Sequence, residues 1–280
     1  MRRPTSRAGP TSSGPGWPAE PVSPLPVGWP DLVLRTFAEG RLFGSTTGAE
    51  RPRVLALHGW ARTHRDFDTV VSGEGHDPLP ALALDLPGFG ASPPPPAAWG
   101  AEDYAEMVGR VLDDMGSPVV VLGHSFGGRV ALHLAAQRPE AVRALVLTGA
   151  PMLRPLGRRS HVALAYRVTR RLHAMRIVSD AAMEASRQRF GSADYRAAQG
   201  IMRDVLVRAV NETDEVQLDA VRCPVHLVWG GDDTAAPVEV AEQAMAHLAQ
   251  GDLAVFAGVG HLTPLLIPSH LRVAVDSCLS

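Results

Sequence analysis

The chain has 280 residues, 45% of them hydrophobic and 20% charged, with a formal net charge of -2. That length and apolar content suit one large domain or a domain with an insertion, exclude wholesale disorder, and include no run near the roughly 18 apolar residues of a membrane span. Near-neutral charge with 3 Tyr and 7 Phe argues against a dedicated nucleic-acid binder, and two cysteines, Cys223 and Cys278, supply neither a disulfide framework nor metal-ligand spacing.

In chain order, residues 1–30 hold eight of the 24 prolines and read as a flexible tail. Prolines break every candidate for the apolar stretch of a secretory leader, so a cytoplasmic protein is expected. Leu32 to Phe37 and Arg41 to Phe43 form a hairpin-like pair around a turn near Gly40. Apolar runs then follow at Val54–Leu57, Ala81–Leu84, Pro118–Leu122, Ala144–Leu147, Val225–Trp229 and Leu253–Phe256. Helical patterns separate them at about 64–71, 102–115, 127–137 and 238–249, with another at the C-terminus. Continuous apolar runs without alternation suit strands buried on both faces of a parallel sheet. Their alternation with helices implies an α/β layer architecture.

Residues 151–220 break the rhythm, with no strand-like run. Ala165, Val168, Leu172 and Met175 share one helical face, while Arg167, Arg170, Arg171 and Arg176 lie largely off it. From Pro151 to Arg208 there are twelve arginines against four acids, Asp180, Glu184, Asp194 and Asp204. All 27 basic residues of the chain are arginine, which reads as a coding bias. The basic stretch reads first as a solvated helical face. Its functional readings are steering of an anionic substrate or contact with a lipid surface.

Gly123-His124-Ser125-Phe126-Gly127 fits the G-x-S-x-G elbow. A serine lifted into solvent at a strand-to-helix turn takes a strained backbone, and the chain around it packs so closely that only small residues fit two positions away. The run 118–122 supplies the strand and Arg129 to Arg138 the helix.

At this point the sequence resembles the α/β-hydrolase family, over about residues 31–280. The resemblance rests on four stretches in family order: His58-Gly59-Trp60, Asp85-Leu86-Pro87-Gly88-Phe89-Gly90, the elbow, and finally the pair Trp229-Gly230-Gly231-Asp232-Asp233 and Gly258-Val259-Gly260-His261. It implies a mostly parallel central sheet of about eight strands flanked by helices. The core would be 31–150 and 221–280, with 151–220 inserted as a helical cap.

The resemblance also assigns roles. Ser125 is the nucleophile, and His261 the base that takes its proton. A carboxylate must hold that imidazole in the right tautomer. Asp232 and Asp233 both qualify by chemistry; the family spacing, with proline four residues on at Pro237, selects Asp233. Thr148-Gly149-Ala150, where some members place the acid, has none. Phe126 N–H and, by resemblance, Trp60 N–H form the oxyanion hole.

Other residues take plainer readings. His58 braces the oxyanion turn, His124 is structural or pocket-lining, Asp85 bonds its own loop and Cys223 packs. Gly88-Phe89-Gly90 begins like a dinucleotide fingerprint, but Pro93 replaces the third glycine. No H-E-x-x-H pattern or tight histidine cluster occurs, so neither metal nor cofactor is expected. Ser125 excludes the aspartyl-ester mechanism of family dehalogenases and epoxide hydrolases. Glu212, Asp214 and Glu215 are candidates to hold a substrate amine, as in iminopeptidases, but the arginine-rich insertion disfavours that reading. The expected activity is hydrolysis of a small-molecule carboxylic ester, as in small-ester carboxylesterases, with an anionic ester or acyl-carrier-linked substrate suggested by the arginines. The alternatives are carbon–carbon bond hydrolysis, lyase or acyltransferase chemistry with the same triad, and ligand binding without catalysis.

Overall fold

A computed structural model describes residues 33–48, 51–73, 77–116, 118–154, 169, 171–190 and 193–280. The proline-rich tail assigned to residues 1–30 lies outside them, as do Arg158, Arg159, Arg167 and Arg170 of the basic stretch.

Eight strands form one sheet: β1 (Val33–Phe37), β2 (Leu42–Thr47), β3 (Val54–Leu57), β4 (Ala81–Asp85), β5 (Val119–His124), β6 (Val142–Thr148), β7 (Val225–Gly230) and β8 (Gly251–Phe256). Their order across the sheet is β1-β2-β4-β3-β5-β6-β7-β8. β2 pairs antiparallel with both β1 and β4, and every other pairing is parallel. This is the mostly parallel architecture expected from the apolar runs.

Side-chain alternation divides the core between the two faces. On one face Leu55, Leu57, Val121, Leu145, Leu147, Leu227 and Trp229 pack with α2 (Ala101–Met115), α3 (Phe126–Gln137) and α8 (Val238–Met245). On the other, Val54, Ala56, Val120, Leu122, Val146 and Val228 pack with α1 (Asp68–Ser72) and α10 (Pro268–Leu279). A short helix, α9 (Thr263–Leu266), leads into α10. Between β6 and β7 the described residues form α4 (Asp180–Phe190), α5 (Ala193–Ala197), α6 (Gly200–Ala209) and α7 (Glu215–Ala220).

Three boundaries differ from the sequence expectation. β2 continues to Thr47, past the predicted Phe43, because the sheet buries Ser45 and Thr47, whose polarity hides the strand. The stretch near 64–71 is a 3-10 turn, His64–Phe67, followed by α1. The helix predicted to reach 249 stops at Met245, since the chain turns there to enter β8 at Gly251.

One buried polar cluster ties the segment before α7 to α3. Arg129 Nε and Nη2 donate to Asp214 at 2.6 and 2.8 Å, and His133 Nε2 lies 3.0 Å from the same carboxylate. Arg129 also donates to the Ala209 carbonyl that ends α6. Asp214 is fully buried, so Asp214→Asn strands a buried guanidinium and is expected to cost about 3–5 kcal/mol. Burial alone would raise the Asp214 carboxyl. The hydrogen bonds and charge of Arg129, with those of His133, outweigh it and hold the group below its ordinary value. A depressed carboxylate stabilises above its unfolded pKa, and the benefit fades as pH falls through the lower folded value. Urea unfolding of both proteins should therefore show a wide gap at neutral pH that narrows toward pH ~3. An equal gap at both pH values would contradict this account.

Candidate active site

β3 has β4 on one side and β5 on the other, and both follow it in the chain. At such a switch point the connections leave in opposite directions and open a crevice beyond the carboxyl ends of the strands. The loop after β3 carries Gly59 and Trp60, and the turn after β5 carries Ser125.

Ser125 has φ 51° and ψ -116°, a conformation strained for a residue with a Cβ. The turn is tight because α3 starts on top of β5 and beside β3. A Cβ on Gly123 would lie 2.6 Å from Gly128 Cα, and one on Gly127 would overlap the Leu57 and His58 carbonyls. These glycines let the chain reverse over Leu57 and present the Ser125 side chain at the crevice.

Ser125 Oγ lies 3.0 Å from His261 Nε2. His261 Nδ1 lies 2.7 Å from Asp233 Oδ2. A carboxylate only accepts, so Nδ1 carries the proton and Nε2 is free to accept from the serine hydroxyl. Asp233 Oδ1 accepts from the Ala235 and Ala236 N–H groups, both at 2.8 Å. Asp233 is 4% exposed, whereas Asp232 faces solvent. The structure thus brings Ser125, His261 and Asp233 into one hydrogen-bonded line and leaves Asp232 outside it.

Phe126 is the first residue of α3, where a backbone N–H has no partner within the helix. Gly59 and Trp60 line the cavity beside Ser125 and Phe126. His58 fixes this turn. It is fully buried, its Nε2 accepts from Leu86 N–H at 2.9 Å, and its Nδ1–H donates to the Gly59 carbonyl at 2.7 Å. Burial lowers its pKa to about 4, so the ring is neutral near pH 7. Below the turn the Trp60 ring meets Phe89 and Phe126 edge-on at 4.9 and 5.8 Å, and Phe126 meets Tyr104 at 5.0 Å.

The cavity over Ser125 holds about 460 Å³. Trp60, Phe126, Leu153, Leu206, Val210 and Leu262 give it mostly apolar walls. Its wall cations differ in pairing: Arg62 is bound to Asp66 at 2.7 Å, Arg129 to Asp214, and Arg154 donates to the Asn211 carbonyl at 3.1 Å.

The remaining sequence readings resolve as follows. Asp85 bonds its loop at Ala91 N–H and also receives the His64 N–H and ring. Asp214 is enclosed by Arg129 and His133, and so is not free to hold a substrate amine. Glu212 lines the cavity but pairs with Arg208 at 2.8 Å. Cys223 and Cys278 are free thiols that burial pushes up in pKa. Among the described residues no three His, Cys, Asp or Glu side chains gather to hold a metal ion. The sequence did not reveal the Arg129–Asp214 clamp or the contact of His124 with the His261 carbonyl, which join residues far apart in the chain.

The family model described as "Alpha/beta hydrolase family" matches residues 54–274. The chain belongs to the α/β-hydrolase family. It is similar to the lipase LipV of Mycobacterium tuberculosis, 45% identical over 97 residues, 34% of this chain and 36% of that protein. It is 39% identical over 136 residues to the esterase Rv0045c of the same organism, covering 46% and 43% of the two chains. The matched region thus spans less than half the length of these two relatives. The crystal structure of Rv0045c superposes more widely, with a TM-score of 0.61 over 89% of this chain and 92% of that one, at 22% identity. A pimeloyl-[acyl-carrier protein] methyl ester esterase of Nitrosomonas europaea is 27% identical over 252 residues, 83% of this chain and 97% of that protein.

Proposed function

We propose that this α/β-hydrolase is a serine hydrolase that cleaves a small-molecule carboxylic ester through an acyl-enzyme intermediate. The observation that carries the reading is the line Ser125–His261–Asp233, formed at the floor of an apolar cavity. The relatives named as esterases and lipases support it.

In this reading Ser125 Oγ attacks the ester carbonyl while His261 Nε2 takes its proton. Asp233 keeps the imidazole in the accepting tautomer and stabilises the imidazolium that forms. The tetrahedral oxyanion sits between the N–H groups of Phe126 and Trp60, donors pre-set before charge develops there. His261 then protonates the departing alcohol, and water, deprotonated by the same imidazole, releases the acid. Neither cofactor nor metal takes part.

The helices between β6 and β7 serve as a cap. Leu206 and Ala209 of α6 line the cavity, and its apolar walls suit an acyl chain. Arg154 at the wall would favour an ester whose acyl group ends in an anion. A cytoplasmic location is the matching expectation; among the described residues no helix is long and apolar enough to cross a membrane.

Fluorophosphonate labelling with mass-spectrometric location of the adduct tests the reading. The label is expected on Ser125 of the native protein and absent from Ser125→Ala. A folded native protein that takes no label at Ser125 would overturn the proposal.

A further inference from the structure

His124 stands immediately before Ser125 and is 1% exposed. Its Nε2 lies 2.9 Å from the backbone carbonyl of His261, a contact that spans 137 positions of the chain. A carbonyl only accepts, so Nε2 carries the ring proton. Nδ1 is then a bare acceptor, and it is buried without a hydrogen-bond partner. It lies so close to Gly59 that a Cβ there would stand 2.9 Å from it. A buried acceptor left unpaired is unfavourable, and an apolar ring would fill the same space without that cost. The bond from the other nitrogen is what the histidine supplies here.

The loop that carries His261 is also held to the β7 end, where its Val259 carbonyl accepts from Asp232 N–H at 2.9 Å, but the His124 bond is the one that reaches it from the nucleophile turn. His261 follows Gly258 and Gly260, where a Cβ would meet nothing within 4 Å. Both ring nitrogens of His261 are engaged, by Asp233 and Ser125, but those bonds orient the ring only if the backbone beneath it is held. The His261 carbonyl accepts from Thr263 N–H, at the start of α9, and from His124, which belongs to the elbow itself.

We propose that His124 is a positioning residue: its Nε2–H ties the backbone of His261 to the nucleophile turn and so sets the Ser125–His261 distance. The inference rests on the hydrolase reading above. Burial also lowers the pKa of His124 to about 4. Its ring, 4.9 Å from that of His261, therefore stays uncharged near neutral pH and does not oppose an imidazolium there.

His124→Phe keeps the ring and removes the donor, whereas His124→Gln offers an N–H at similar reach. Steady-state hydrolysis of an activated ester should show kcat down on the order of 10²-fold in His124→Phe with KM unchanged, the usual scale for a base misplaced by about an ångström. His124→Gln should recover most of that loss. A folded His124→Phe with native kcat, or a His124→Gln as slow as the Phe variant, would overturn the role. If His124→Phe does not fold, 15N-histidine NMR of the native protein decides: the Nε2–H tautomer with bare Nδ1 is expected at pH 7, and an Nδ1–H tautomer or an imidazolium would overturn it. Fluorophosphonate labelling of the native protein keeps the two readings apart. No label on Ser125 sinks the hydrolase reading and the role that rests on it; a label combined with variants indifferent to the donor sinks only the role of His124.

Discussion

Ser125→Ala, His261→Ala and the double variant are expected to lower kcat by about the same factor, on the order of 10⁶. The reason is the single hydrogen bond that joins the two residues. Without the imidazole the hydroxyl keeps its proton and is a poor nucleophile. Without the hydroxyl the imidazole has no proton to take. Each substitution removes the whole pathway, so the second costs almost nothing more. Residual turnover would come from the Phe126 and Trp60 amides and from the cavity, which all three variants retain. Single-turnover kinetics with an activated ester reads this directly. Losses that multiplied in the double variant would mean that the two residues act in separate steps and that the assignment is wrong.

Asp233→Asn should cost about 10⁴ in kcat, the scale for an imidazole forced into the wrong tautomer. The local bonds explain why an isosteric change would be so damaging. Oδ1 is committed to the N–H groups of Ala235 and Ala236, which require an acceptor. An asparagine must place its single oxygen there, which turns its NH₂ toward His261 Nδ1. Nδ1 would then have to accept, the ring proton would move to Nε2, and Nε2 could no longer take the proton of Ser125. Asp232→Asn should leave kcat near native, since that side chain faces solvent. The pair is best measured together by steady-state hydrolysis. A large loss at 232 with little at 233 would reverse the assignment of the acid.

The parts of this molecule legible in the sequence are those written locally. Val54–Leu57 and Ala81–Leu84 are unbroken apolar runs because helices cover both faces, and they read directly as buried parallel strands. The elbow is legible because its steric demands fall within five consecutive residues. Asp233 was separable from Asp232 only by family spacing; the structure adds the physical difference, burial and two backbone donors. β2 was cut short because Ser45 and Thr47 look like loop residues until the strands on either side are known. The Arg129–Asp214 pair and the His124–His261 contact leave no local pattern. From sequence alone Asp214 accordingly reads as a possible substrate contact, whereas its carboxylate is a fastening inside the protein.

The three residues of the site hang from strands of very different security. Ser125 follows β5, every residue of which is buried, whereas His261 follows β8, an edge strand whose residues are all exposed or only half-buried. Local opening free energies in a protein scale with such burial. The first fluctuation to reach the site would therefore fray its outer edge, carrying His261 away from a Ser125 that is still in place. Catalytic competence would then be lost and regained with the closing of the last strand, well inside the limits of global unfolding. In practical terms, if the proposed activity holds, its inactivation by heat or denaturant would underestimate the stability of the protein's core.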